Sequence, residues 1–209
     1  MKLSTLSFFC ALAVLFSVAA ISSCSRAERI AGQWQANPER IAHLAGSADA
    51  STTVTLDFRP DTESRQAGGD VYISAVIEVQ SAMTGMATPV DAAYENNVAA
   101  TASVTGHYVY SDNDDDDILI SLDPSTFEVN VDPDGVGFAE NLLTGRQQPE
   151  VDSISAALAE RWRVALTPTM REVFGRYTSI EDIKVHHGDI MSCEIGDRDV
   201  TLRRVGVPD

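Results

Sequence analysis

The strongest constraint on this chain is an alternation of apolar and polar side chains with a period of two. In residues 52–59, Val54, Leu56 and Phe58 fall on one face of an extended chain, and polar side chains fall on the other. Residues 70–80 repeat the alternation, with apolar side chains at Val71, Ile73, Ala75, Ile77 and Val79. A helix would need a period near 3.6 instead. The pattern therefore predicts antiparallel strands that are buried on one side.

Shorter segments of the same kind bring the predicted total to about eight or nine strands. They follow an opening strand near Trp34 and lie at residues 101–111, 118–122, 126–131, 180–185, 190–195 and 200–205. Turn residues separate most of them. A series of short strands favours a closed or nearly closed antiparallel barrel, because closure removes unpaired strand edges. The predicted fold class is therefore mainly β.

A helical period replaces the alternation after Pro149. Apolar residues recur there every three to four positions, at Val151, Ile154, Leu158, Trp162 and Leu166. Thr167-Pro168 has the form of an N-cap followed by a first-turn proline, which predicts a second helix reaching Tyr177. The barrel is thus expected to carry an inserted helical pair near residues 151–177.

The N-terminus has the pattern of a bacterial secretion signal. Lys2 precedes an apolar run from Leu6 to Ala20, which is short for a membrane-spanning helix. The following Ile21-Ser22-Ser23-Cys24 resembles the lipobox of bacterial lipoproteins. That resemblance implies a signal peptide at residues 1–23, a lipid (palmitate-type acyl chains) on Cys24, and a tether at residues 24–29. The alternative is an ordinary cleaved signal that happens to contain a cysteine.

The charge and the cysteine content of the chain restrict its possible partners and its location. The 31 acidic and 15 basic residues give a net charge of −16, which disfavours a nucleic-acid partner. Ser25 follows Cys24, which resembles the sorting pattern of outer-membrane lipoproteins. We therefore expect a Gram-negative cell-envelope protein held on the outer membrane through Cys24, with the leaflet left open.

Cys193 would be the remaining cysteine of the folded part, and its apolar neighbours predict a buried thiol.

The triplet Gly32-Gln33-Trp34 resembles the Gly-X-Trp signature on the first strand of lipocalins and related calycins. The resemblance implies a single lipocalin-like barrel at residues 30–209, with Gly32 and Trp34 as structural signature residues. The chain departs from the family pattern in two ways. The helical pair precedes the last three strands, whereas a lipocalin helix normally precedes one, and no later Thr-Asp-Tyr motif is found.

Three segments invite comparison with metal sites. Asp112–Asp117 is rich in carboxylates, so Ca²⁺ binding is left open there. Residues 130–135 match the start of an EF-hand loop, but position twelve is Asn141 instead of Glu. His186 and His187 are neighbours on a predicted strand and point to opposite faces. The sequence therefore predicts no metal and no cofactor.

The leading hypothesis is a barrel that binds a small apolar or amphipathic ligand. The candidate ligand-binding residues are the inward side chains Val54, Leu56, Phe58, Ile73 and Ile77. The alternative is a structural or interaction protein of the envelope, with a filled barrel and a protein partner of unknown identity. We predict no enzymatic activity, because no nucleophile, phosphate-loop or zinc-protease motif is found, and an enzyme would require a cleft at His107 or His186.

Overall fold

A computed structural model describes residues 28–41, 49–61, 68–83, 94–111, 116–136 and 145–206, with the side chains of residues 80–83 and 94–97 left out. The strands are β1 (Gly32–Ala36), β2 (Glu39–Ile41), β3 (Asp49–Pro60), β4 (Gly68–Met83), β5 (Tyr94–Tyr110), β6 (Ile118–Leu122), β7 (Glu128–Val136), β8 (Ser179–His186), β9 (Ile190–Glu194) and β10 (Asp199–Arg204). Helix α1 spans Gln148–Gly175. Cys24 and residues 112–115 lie outside the described ranges.

The alternation predicted for β3 and β4 is present. The side chains on one face of β3 are between 0% and 3% exposed, namely those of Ala50, Thr52, Val54, Leu56 and Phe58. β4 runs antiparallel to β3, and the register sets Leu56 opposite Ile73. Both strands are longer than the ranges 52–59 and 70–80 that the alternation predicted.

Eight strands close into a ring. Neighbouring strands follow the order β1, β10, β9, β8, β6, β5, β4 and β3, and β3 pairs again with β1. Every pairing is antiparallel. The predicted fold class is therefore confirmed as a closed antiparallel β-barrel, consistent with a lipocalin-like barrel.

Two further strands extend this ring. β2 continues along β3 beyond the end of β1, and β7 continues along β5 beyond the end of β6. β5 changes partner near Gly106, where a Cβ atom would lie 2.8 Å from the carbonyl oxygen of Ser121. Glycine therefore permits a close approach of β6 at the point where the sheet changes partner.

Helix α1 is one continuous helix of 28 residues, so the predicted division into two helices at Thr167-Pro168 is wrong. Pro168 removes the hydrogen bond to the carbonyl of Val164, but the side chain of Val164 is 58% exposed, so this face of the helix is open to solvent. The hydroxyl of Thr167 donates to the carbonyl oxygen of Arg163 at 2.7 Å. Buried side chains lie on one face of the helix both before and after Pro168, and their packing keeps the two parts of the helix on a common axis.

The helix contributes to the core of the barrel and does not cover its outside. α1 packs against β7, yet the outward side chains Glu128, Asn130 and Asp132 of that strand are exposed. The helix therefore meets β7 from its inner face or free edge. The rings of Phe174 on α1 and Phe127, just before β7, meet edge to face with centroids 6.0 Å apart.

Trp34 closes one end of the barrel and is fully buried. Its indole nitrogen donates to the carbonyl oxygen of Ile30 at 2.7 Å. The guanidinium of Arg204 on β10 lies 4.4 Å from the Trp34 ring centroid. The same guanidinium donates to the carbonyl oxygens of Ala31 at 2.5 Å and Gly188 at 2.7 Å. Arg204 therefore joins the start of the described chain, the β8–β9 turn and the core.

Gly32 is needed at this end for two reasons. Its φ of +98° is strained for a residue with a side chain, and a Cβ atom would lie 3.0 Å from Nη1 of Arg204. The spacing of Gly32 and Trp34 thus lets the backbone pass beneath the arginine that covers the tryptophan.

Cys193 lies in the core on β9, as predicted. Its side chain is 5% exposed, and burial raises the pKa of the thiol to about 12. The thiol therefore stays protonated at neutral pH, as expected for a packing residue.

We expect Arg204→Lys to lower the free energy of unfolding by about 2 kcal/mol, because one ammonium cannot both cover Trp34 and span separate carbonyls. Urea denaturation followed by tryptophan fluorescence measures the change. Arg203→Lys is the matched control, since Arg203 is exposed on the same strand. Equal effects of the two substitutions would contradict this role of Arg204.

Candidate functional site

The five candidate ligand-binding residues all face the interior of the barrel. Val54 is 3% exposed and Phe58 is 2% exposed, while Leu56, Ile73 and Ile77 have no exposed surface. Side chains that lined a water-sized cavity would have exposed surface, so protein atoms cover these three. The interior around them is packed, and their role in ligand binding stays a prediction.

Side-chain size divides the interior into two halves. Large rings fill the half near Trp34, where the ring of Tyr108 lies 5.2 Å from Phe58 and 6.3 Å from Tyr110, measured between centroids. Small side chains line the other half, where Ala75 is opposite Ala102 and Ile77 is opposite Ala100. Helix α1 packs beside this half through β7, and its buried stripe belongs to the same core.

The barrel wall has a gap that we call the seam. β1 pairs with β10 as far as Ala36, opposite Leu202. The chain then passes Pro38, which has no N–H to donate, and β2 pairs within the described residues with β3 alone. The start of β10, Asp199–Thr201, pairs there with β9 alone. Strands β2 and β10 therefore separate on one side of the barrel.

A groove of about 260 Å³ lies along the seam, and we call it the seam groove. Two inward-facing residues of β3, Thr52 and Val54, contribute to its lining, although each is only 3% exposed. Its lining includes Ala36, Thr52, Val54, Tyr177, Asp199 and Val200. The lining also includes the polar side chains of Asn37, Glu39, Arg198 and Thr201, so the groove offers both polar groups and apolar surface.

The hydroxyl of Thr52, a residue that lines this groove, makes no hydrogen bond within the described residues. The residue is 3% exposed, and its hydroxyl oxygen has no hydrogen-bond partner among the described residues. A buried hydroxyl without a partner costs about 1–3 kcal/mol. Two other buried polar atoms in the described residues, the Tyr108 hydroxyl oxygen and a carboxylate oxygen of Asp189, also lack a partner, but of the three residues only Thr52 lines the seam groove.

Tyr177 forms another part of the groove lining and is 6% exposed. Burial, and to a smaller extent the charge of Glu39, raise the pKa of its hydroxyl to about 12. The hydroxyl therefore stays protonated and remains a hydrogen-bond donor at neutral pH.

Three charged side chains from separate elements meet at the edge of the groove, and we call them the rim cluster: Glu39 on β2, Arg176 after α1, and Arg198 before β10. The carboxylate of Glu39 accepts a short hydrogen bond from Arg198. An Oε1–Nη1 distance of 3.6 Å separates Glu39 from Arg176. These half-exposed contacts bridge the seam, and each contributes no more than about 1 kcal/mol.

A second, larger groove of about 600 Å³ lies on the outer face of β4 and β5. His107 is part of its lining, and Nδ1 of this histidine lies 3.4 Å from Oδ1 of Asp70. His186 and His187 lie at the β8–β9 turn, away from this groove. Nowhere in the described ranges do three metal-ligating side chains converge.

Residues 130–135, which match the start of an EF-hand loop, form a distortion within β7. Val131 is opposite Ala100 and Val136 is opposite Val98, so four residues of β7 bulge out against one of β5. The carboxylate of Asp132 accepts a hydrogen bond from the N–H of Asp134 at 3.0 Å, a local contact typical of Asx turns.

Sequence reasoning missed the groove residues Pro38, Thr52 and Tyr177, and the rim cluster. Only Thr52 left a readable signal, because the alternation of β3 assigns it to the same face as Val54. Thr53 and Thr55 fall on the opposite face. The hydroxyl of Thr52 on the otherwise apolar face of a predicted strand was therefore the sequence feature that could have indicated the groove.

We expect Thr52→Val to raise the free energy of unfolding by about 1 kcal/mol, because valine removes an unpartnered hydroxyl at nearly constant volume. Thermal and urea unfolding measure the change. Thr53→Val is the matched control on the outer face, with an expected change within about 0.5 kcal/mol. A loss of stability in Thr52→Val alone would mean that the hydroxyl has a partner in the folded protein.

No helix in the described ranges is long and apolar enough to cross a membrane. Comparison of the chain with protein-family models, with curated proteins and with solved structures finds no significant match.

Proposed function

We propose that this chain is a lipid-anchored cell-envelope protein whose barrel binds a small amphipathic ligand in the seam groove. The observation that carries the proposal is the buried Thr52 hydroxyl, which lacks a partner among the described residues and belongs to a residue that lines the seam groove. The Oγ1 atom is covered in this structure, so a ligand hydroxyl or carbonyl would reach and satisfy it when the lining of the groove moves apart.

The size of the groove restricts the ligand. Sites for drug-sized molecules usually exceed about 300 Å³. The seam groove is smaller, at about 260 Å³, and the packed residues Leu56 and Ile73 leave no room for a long tail deeper in the barrel. The ligand we propose is therefore a short amphiphile that lies between Val54 and Tyr177.

The proposed anchor fits the way the chain enters the barrel. Arg204 holds the carbonyl oxygens of Arg29 at 3.2 Å and Ala31 at 2.5 Å. Four residues lie between Cys24 and Arg29, so the Cα atoms of these two residues are at most roughly 18 Å apart. A lipid on Cys24 would thus keep the Trp34 end of the barrel close to the membrane surface.

A second candidate function is a structural or interaction role with a filled barrel. The complete burial of Leu56, Ile73 and Ile77 favours it, because these residues form a packed core whether or not a ligand is present. The two functions differ in what should be found in the seam groove.

The first test is native mass spectrometry of the full chain purified from membranes, followed by solvent extraction. We expect one small molecule per chain that is lost on denaturation. Thr52→Val should lower its occupancy severalfold while stabilising the empty protein, and Thr53→Val should change neither. An empty protein in all three samples would refute ligand binding and leave the structural role.

The anchor is tested separately by labelling cells with an alkyne analogue of palmitate. Cys24→Ser should abolish the label and release the protein from the membrane fraction, since Cys24 carries the predicted acyl chains. Cys10→Ser is the matched control and should keep both. A Cys24→Ser protein that retains the label would contradict the predicted lipobox.

A further inference from the structure

We propose that the seam groove selects an amine, and that the ammonium group of the ligand binds Glu39 in place of Arg198. This inference rests on the function proposed above and adds the chemical class of the ligand. It is carried by the groove geometry, the rim cluster and the balance of charge around them.

The charged groups around the groove have an acidic excess. Three carboxylates, those of Glu39, Glu172 and Asp199, stand against the guanidiniums of Arg176 and Arg198. The whole chain has a net charge of −16, which attracts cations from a distance. An anionic ligand would therefore be repelled both by the charges around the groove and by the net charge of the whole chain.

The charge of Glu39 also acts on Tyr177, which lines the groove. After burial, Glu39 is the largest cause of the raised pKa of the Tyr177 hydroxyl, and the opposing effect of Arg176 is smaller. At this hydroxyl the carboxylate of Glu39 therefore outweighs the guanidinium of Arg176.

Arg198 can leave Glu39 easily. Its side chain is 61% exposed, so its guanidinium exchanges the carboxylate for water at little cost. Arg176 is already shared, since its Nη2 lies 3.2 Å from Oε1 of Glu172. A compact ammonium can therefore compete for Glu39 while the alkyl part of the ligand lies against Val54 and Val200.

The experiment compares three probes with the same six-carbon chain: hexylamine, 1-hexanol and hexanoate. Dissociation constants are measured by ligand-observed NMR on the full chain in detergent micelles, with empty micelles as the blank. We expect hexylamine to bind up to about fivefold more tightly than 1-hexanol, because a half-exposed, charge-assisted hydrogen bond to Glu39 replaces a neutral one. Hexanoate should bind most weakly.

Two variants test the exchange at Glu39. Glu39→Gln should remove the preference for hexylamine over 1-hexanol. Arg198→Gln should tighten hexylamine binding severalfold, because it removes the internal competitor. Arg203→Gln is the matched control for Arg198→Gln, since it makes the same change of charge on an exposed residue outside the groove lining. Thermal unfolding confirms that each variant is folded.

The outcomes separate the two levels of the proposal. Binding of 1-hexanol as tight as that of hexylamine, or equal effects of Arg198→Gln and Arg203→Gln, would overturn amine selection and leave ligand binding intact. Failure of all three probes, together with an empty native protein, would overturn the proposed function itself.

Discussion

The fold depends on the contact between Trp34 and Arg204. The tryptophan fills one end of the barrel, and the arginine covers the ring while it binds the carbonyl oxygens of Ala31 and Gly188. These contacts link the first strand, the last strand and the β8–β9 turn. A ring of strands needs such a link, because its first and last members meet only after the whole chain is in place. The left-handed backbone of Gly32 makes room for it.

The same ring is incomplete on one side, and the reason is chemical. Proline at position 38 cannot donate to a neighbouring strand, so the ladder between β1 and β10 ends at Ala36. Within the described residues, the barrel therefore combines a packed interior around Leu56, Ile73 and Ile77 with a lateral opening. This arrangement places polar side chains from β2, β3 and the segment after α1 around one small groove. Closure of the barrel thus depends on Trp34 and Arg204, whereas access to the seam groove depends on Pro38.

The sequence predicted the strands well because a buried strand face leaves a period-two pattern, as in Val54, Leu56 and Phe58. It also predicted the position of Trp34 and the burial of Cys193. It did not predict the continuity of α1, since tolerance of Pro168 depends on solvent beside Val164 and on a stripe buried on both sides. The partners of Arg204 are backbone carbonyls far away in the chain, which leave no side-chain pattern. The rim cluster joins three elements, so no local spacing reveals it.

The closure of the ring also determines how the barrel can fold. Arg204 and Ala31 make contact across 173 residues of chain. Closing so long a loop costs roughly 4–5 kcal/mol of chain entropy before the contact forms. Folding should therefore be slow and should proceed through an open sheet. In that intermediate Trp34 is uncovered and β1 has a free edge, which is a site for association with other chains. A chain that ended before β10 would remain in this state, so only the complete barrel is protected against aggregation.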